Sequence, residues 1–287
     1  MRVHILPIVL LASLLSACGG GNGAAEGSDK GSNATPLGIS YNVVEFKRQG
    51  GSKCLGDPGV KADDALCATV KFTYPEINSA SKPELANTLN TVIRQQLLDT
   101  IEDAEAGQPA ANAPTTLESF ADDFIEEYKQ DPNTFTSWEI ERSIRVVHNT
   151  SKLITLLFEE FGFTGGAHPF NGSRFLVLDL ETGKQVQLAD LMTPGYESAL
   201  NVEGEKAFRA ARQLPEGSNL EEEGFTFENN TFILNNNNYG VNKDGLSFIF
   251  NSYEVAPYVM GPTEFTIPYE DIRPLIRVDG LLGSKAN

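Results

Sequence analysis

Apolar residues recur along this chain with two periods, and the order in which the periods follow one another predicts the architecture. Ile39, Tyr41, Val43 and Phe46 open with a strand, and in Leu66–Tyr74 the residues Val70, Phe72 and Tyr74 share one face of a second. The period lengthens at Ser81-Lys82-Pro83-Glu84, where a serine N-cap, an early proline and an acid near the positive helix end predict a helix start. Leu85, Leu89, Val92, Ile93, Leu97 and Ile101 form the stripe of that helix, which ends at the loop AGQPAANAP. A second helix opens at Thr116-Leu117-Glu118-Ser119, buries Phe120, Phe124, Ile125 and Tyr128, and stops before Pro132. Segments 137–148 and 152–163 read as a hairpin across Asn149-Thr150-Ser151, although Trp138, Ile140, Ser143, Arg145 and Val147 alternate poorly. A second hairpin joins 175–180 to 185–188 through Glu181-Thr182-Gly183-Lys184, with Gly183 for the left-handed turn position. A helix from about 196 to 212, an acidic loop over 214–224, strands at 225–228, 231–234, 246–250 and 264–267, and a short closing helix over 269–276 complete the pattern. Strands, helices, hairpins, a helix and strands again predict an α+β fold, with antiparallel sheets and helices packed on them in two intimately packed halves.

The first residues belong to a different regime. Residues 1–17 carry Arg2 and an apolar run from Ile5 to Leu15 that is too short to span a bilayer comfortably, the pattern of a secretory signal. Leu15-Ser16-Ala17-Cys18 resembles a bacterial lipobox, which implies acylation of Cys18 and cleavage just before it. Residues 18–36 are rich in Gly, Ser, Asn and Ala, with almost nothing to bury, and are expected to tether the rest. Gly19 after the cysteine, by resemblance to enterobacterial sorting, favours the outer membrane facing the periplasm. The expected division is a signal peptide over 1–17, a tether over 18–36, an N-terminal α+β half over 37–160 and a C-terminal half over 161–287.

Charge and cysteines narrow the chemistry. Cleavage before Cys18 removes one arginine and no acid, leaving 21 basic against 39 acidic residues, a net charge of about −18. Such a surface repels phosphate backbones, so no nucleic-acid partner is expected. With Cys18 acylated, Cys54 and Cys67 remain as an even pair in an oxidising compartment, and a disulfide between them is predicted. A serine hydrolase would need a base histidine and a nucleophile elbow; only His148 and His168 remain, and no GxSxG occurs. The same scarcity argues against zinc, since no HExxH is present and a catalytic site takes three protein ligands. No cofactor and no metal are expected. The acid runs Asp122-Asp123, Glu126-Glu127, Glu159-Glu160 and Glu221-Glu222-Glu223 contain carboxylates enough for glycoside hydrolysis, but neighbouring acids point different ways and read as solvated faces. Asn235–Leu246 fails as a calcium loop, with Tyr239 and Leu246 at positions that need ligands.

The stretch Phe163–Gly172, FTGGAHPFNG, leads into Leu178-Asp179-Leu180-Glu181-Thr182-Gly183-Lys184 and Leu188-Ala189-Asp190-Leu191. Further on come Phe248-Ile249-Phe250, Tyr253-Glu254-Val255-Ala256-Pro257-Tyr258-Val259-Met260-Gly261 and Thr266-Ile267-Pro268-Tyr269. This ordered set resembles domain of unknown function 3298, found at the C-terminus of the lysozyme-binding anti-sigma factors, beside some peptidoglycan deacetylase domains and in many bacterial lipoproteins. Tyr74-Pro75-Glu76-Ile77 and the helix after it are similar to the companion domain 4163 that usually precedes it. The family is not known as catalytic in itself. Without a sigma-binding segment or a membrane-spanning helix before the domain, an anti-sigma role is not expected. The resemblance implies a non-enzymatic envelope lipoprotein that binds a lysozyme-type protein or peptidoglycan; the alternative is a peptidoglycan hydrolase using a carboxylate pair or His168. Its landmarks are Gly165, Gly166, His168, Pro169, Tyr253, Glu254 and Tyr258. The glycines allow positive φ or close approach and Pro169 stiffens the exit. His168 is expected either to hydrogen-bond the backbone of the Tyr253–Tyr258 segment, locking the halves together, or to contact a ligand.

Overall fold

A long antiparallel hairpin starts the fold: β1 (Ser40–Lys53) pairs along its length with β2 (Leu66–Ser79). Cys54 and Cys67 close the intervening loop with a disulfide, Cα atoms 4.8 Å apart, a cross-link of this loop size contributing about 3 kcal/mol in the chain-entropy account. The structure is a computed structural model, and it describes residues 38–80, 82–99, 114–131, 135–235 and 237–285. The signal peptide, Cys18, the tether, Ser81, Ile101 and the AGQPAANAP loop lie outside the described residues.

Helix α1 (Pro83–Leu98) has Lys82 as its N-cap, with Pro83 in the first turn, and buries Leu85, Leu89, Ile93, Leu97 and Leu98. Helix α2 (Leu117–Gln130) begins in a capping box in which Thr116 and Ser119 satisfy each other's backbone N–H, and buries Leu117, Ala121, Ile125 and Tyr128. The chain returns as β3 (Trp138–Asn149), β4 (Leu153–Phe163) and β5 (Phe170–Asp179), giving a five-stranded sheet in the order β1-β2-β3-β4-β5. The β2–β3 pair is parallel, from Ala68 opposite Trp138 to Thr73 opposite Ser143. The sheet is therefore not wholly antiparallel, because two helices intervene and bring β3 back in the direction of β2. Both helices cover one face, packing on Val70, Phe72, Ile140, Ile144, Ile154, Leu156, Phe158 and Leu176.

After β5 the predicted hairpin survives only as a turn. Asp179 Oδ1 accepts from the N–H groups of Glu181 and Thr182, Gly183 takes φ +71°, and a single bridge joins Leu178 to Gln185. The return strand is cut short where α3 (Leu188–Leu191) begins; α4 (Glu197–Arg212) follows. A second sheet, β6 (Tyr239–Val241), β7 (Gly245–Phe250) and β8 (Thr263–Pro268), precedes α5 (Tyr269–Ile272) and a 3₁₀ turn.

Segments 225–228 and 231–234 are not strands. Their apolar residues wrap the buried ring of Phe208, with Phe225, Phe227 and Phe232 at 5.0, 5.7 and 5.3 Å between centroids, so their alternation records packing around one aromatic ring. The second core, which holds Phe208, reaches back to Leu153 and Val177 on the five-stranded sheet. The sheets thus divide the chain after β5, whereas the expected boundary at 160/161 falls inside β4. All the described residues belong to one compact unit, and among them no helix is long and apolar enough to cross a membrane.

Candidate functional site

The β4–β5 connection turns through Gly165, at φ +83°, where a Cβ would meet Trp138 Nε1 at 3.4 Å. Gly166 does not take positive φ, and a Cβ there would meet only His168 O at 4.0 Å. A third glycine matters more than the pattern indicated: the ring of Phe170 lies across Gly162 where any side chain would sit. His168 is exposed. Its Nδ1 lies 2.8 Å from the carbonyl of Pro169, and since a carbonyl only accepts, Nδ1 carries the proton. In the neutral ring Nε2 is then an acceptor, and the Tyr253 hydroxyl stands 3.4 Å from it.

The partner segment follows β7. Tyr253 holds φ +74°, donates its N–H to Ala256 O and is 65 % exposed. The next turn presents Tyr258, whose ring stacks on His168 at 4.4 Å and 24° and lies 5.7 Å from the ring of Tyr253. Asn171 Nδ2 donates to the Tyr258 hydroxyl at 3.3 Å. His168 therefore meets this segment through rings and a phenol, not through its backbone: the halves are joined at this point, but by aromatic side chains. His168, Pro169, Tyr253 and Tyr258 come together, Gly165 lies against Trp138 and Thr136 instead, and the exposed Glu254 accepts from Asn251 Nδ2 at 2.9 Å and Asn235 Nδ2 at 3.1 Å.

Three residues that the sequence reading passed over hold the cluster in place. Asn251 brackets Ser173 on the outer edge of β5, its Oδ1 accepting from Ser173 N–H at 2.8 Å and its Nδ2 donating to Ser173 O at 3.1 Å. Asn238 does the same one step along, accepting from Phe175 N–H at 2.9 Å and donating to Ser173 O at 2.9 Å. These buried amides supply partners that a sheet edge would otherwise lack. Arg212, at the end of α4, donates to the carbonyls of Met260, Gly261 and Pro262 and to Thr263 Oγ1, fixing the turn that carries Tyr258. Of the three, only Asn238 stood in a stretch the sequence had singled out, the Asn-rich run at 235–238 that fails as a calcium loop.

Beyond the cluster, the sheet face opposite the helices lies open at one end. Register places Lys71, Glu141, Phe161 and Asn171 in one row across β2 to β5, and Thr73, Ser143, Glu159 and Ser173 in the next. Six of these eight residues line a cleft of about 350 Å³. Lys71 pairs with Glu141 at 3.2 Å and Arg145 with Glu159 at 3.3 Å, all four side chains partly exposed. Further along, the same face is covered, with Leu157 and Phe175 packed against Ile249. Another cleft, of about 540 Å³, lies along α2 and contains Asp123, Glu126, Glu127 and Trp138. Among the described residues no group of three or more His, Cys, Asp or Glu side chains is placed to hold a metal ion.

Residues 189–270 match the family model described as a protein of unknown function, DUF3298. Residues 61–171 match a second model, described as deacetylase PdaC. The fold is that of solved DUF3298 structures. One, from Bacteroides fragilis NCTC 9343, is 21 % identical over 87 % of this chain and 98 % of its own, with a TM-score of 0.66. Another, from Pseudomonas aeruginosa PAO1, is 20 % identical over 85 % of this chain and 95 % of its own, with a TM-score of 0.60. No curated protein matches the chain. The matched ranges divide the cluster: Gly165, His168 and Pro169 fall in the PdaC match, and Tyr253, Glu254 and Tyr258 in the DUF3298 match. The resemblance had placed the histidine loop with the C-terminal domain; the matched ranges put it at the end of the N-terminal one.

Proposed function

We propose that the chain is a non-catalytic binding module of the cell envelope, lipid-anchored through Cys18 on the periplasmic side of the outer membrane. Its ligand, a lysozyme-type protein or cell-wall glycan, binds at the cluster of His168, Tyr253 and Tyr258. The observation that carries this reading is the stack of an exposed His168 on a half-buried Tyr258, beside an exposed Tyr253 in a positive-φ conformation. Rigid aromatic side chains bring large contact area at little entropic cost and dominate recognition surfaces. Backbone strain held by surrounding structure is also typical of functional positions. An acidic chain steers a cationic protein toward itself.

The alternative, a hydrolase, draws on Glu141 and Glu159, which share one cleft. Each is partly exposed and engaged by a cation, so neither can reach a glycosidic bond without first giving up its ion pair. The name of the second matched model carries a deacetylase activity; one that worked through a histidine-held metal would bring histidines together. His148 pairs with Thr155 near the start of β4 and His168 lies beyond its end, about 25 Å apart at 3.3 Å per residue.

Calorimetric titration of the purified chain with lysozyme and with soluble muropeptides tests the proposal. At least one should bind, and Tyr258→Ala should weaken it about tenfold. Binding of neither would sink the reading. Release of soluble products from purified peptidoglycan would move the case to the hydrolase, and survival of that release in His168→Ala would leave it to the carboxylates.

A further inference from the structure

The open sheet face and the aromatic cluster are parts of one surface. Along the first row, Lys71 stands opposite Glu141, Glu141 opposite Phe161, and Phe161 opposite Asn171. Asn171 then donates to the Tyr258 hydroxyl, and Tyr258 stacks on His168. The row continues from strand to strand into the aromatic group without a break. Three inter-strand gaps of about 4.8 Å give the floor a width of about 14 Å from β2 to β5.

We infer that this floor and its aromatic wall form one groove for an oligosaccharide strand, lying across β2 to β5 with a sugar ring against Tyr258. The inference rests on the reading of the aromatic cluster as a recognition site and names its ligand class. Three features select a neutral, hydroxyl-rich ligand over an ionic one. Lys71 pairs with Glu141 and Arg145 with Glu159, so the floor offers donors and acceptors side by side, with Glu45 and Glu139 adding acceptor charge near Lys71. Sugar hydroxyls both donate and accept, and they match such an array where a phosphate or ammonium would disrupt one pair to reach the other. Thr73, Ser143 and Asn171 extend the same mixed capacity between the pairs. Phe161, partly exposed within the floor, and the half-buried Tyr258 with the exposed Tyr253 beside it at the end of the floor supply apolar ring surface for the C–H faces of pyranoses. The floor consists of strand residues whose spacing is fixed by the sheet, which presets the polar array before a ligand arrives.

Titration of the full chain with chitotetraose, a neutral N-acetylglucosamine tetramer, is the test. Saturable binding is expected. Tyr258→Ala should weaken it about tenfold and Phe161→Ala or Glu159→Gln each by about three- to tenfold. Asp122→Asn, on the α2 side of the sheet, should leave it unchanged. Far-ultraviolet circular dichroism checks that each variant folds; if Phe161→Ala does not, Ser143→Ala takes its place. Lysozyme binding that is lost in Tyr258→Ala, with no chitotetraose binding, overturns the glycan groove but leaves the recognition cluster standing. Chitotetraose binding that ignores both Phe161→Ala and Glu159→Gln removes the floor from the site and also overturns the inference. Failure of chitotetraose, lysozyme and muropeptides alike ends the two readings together.

Discussion

Glu159 and Glu160 are neighbours in sequence with opposite environments, and they divide the five-stranded sheet into its two faces. Glu160 points under the helices, where its side chain is 6 % exposed and takes a hydrogen bond from Arg142 Nε; the Arg142 side chain is 1 % exposed. A second nitrogen of that guanidinium donates to Leu97 O at the end of α1, and its Cζ lies 4.6 Å from the centroid of the Phe120 ring. Glu159 points to the open face, where Arg145 meets it in solvent. The pairs share a chemistry and a strand pair, and the pleat alone assigns one to the core and the other to a surface. The buried pair ties α1 and α2 to the sheet, whereas the exposed pair is free to serve a ligand.

Removing one member of each pair gives the widest separation. Arg142→Ala or Glu160→Ala breaks the buried pair and should cost about 3–5 kcal/mol, read by urea denaturation. Replacing both by apolar residues, Arg142→Met with Glu160→Leu, should restore most of that loss. A single-variant cost below about 1 kcal/mol would show that water reaches the helix-covered face.

The environment of Arg142 also explains why the β3 pattern was hard to read. The inward series is Trp138, Ile140, Arg142 and Ile144, so the strongest charge stands where a strand template wants an apolar residue. A bulge between Val146 and His148 then shifts the register. The helices were legible because their apolar stripes repeat over several turns, and the disulfide because only two cysteines follow residue 18, which leaves one pairing between them. The parallel β2–β3 pair was not legible, since alternation states which face is buried and says nothing of the neighbouring strand. Of the site, the histidine loop and the Tyr253–Tyr258 segment stood out by resemblance. Asn238, Asn251 and Arg212 did not, because their roles arise from the distant backbone they bracket: 65, 78 and up to 50 residues away.

The second face is not open throughout. Where the C-terminal half covers it, Thr155 is fully buried and its hydroxyl finds no hydrogen-bond partner among the described residues. Thr155→Val keeps the shape and removes a desolvated hydroxyl, so it should stabilise the chain by about 1 kcal/mol, seen as a higher unfolding midpoint. A loss of stability would mean that this part of the face is wet. On the open part, Glu159→Gln should change stability by less than about 1 kcal/mol, as for other exposed pairs, while weakening ligand binding. A large loss of stability there would erase the contrast with Glu160.

The smallest expected effect tests the covered end of the same face by pH. His148 stands opposite Thr155, half-buried. Burial holds its imidazolium below the ordinary value of 6.5, and the nearby Lys285 ammonium adds to the shift. The unfolded chain therefore takes up this proton at a higher pH than the native chain does. The contribution of neutral His148 is complete above about pH 6.5 and declines as the pH falls toward the native pKa, below which the loss is constant. Urea midpoints of the natural chain and of His148→Gln, compared from pH 7.5 to 5, should converge as the pH falls, because only the natural chain loses this term. Parallel profiles would show that His148 is solvated like a surface group, and would place the limit of the covered region short of the end of β3.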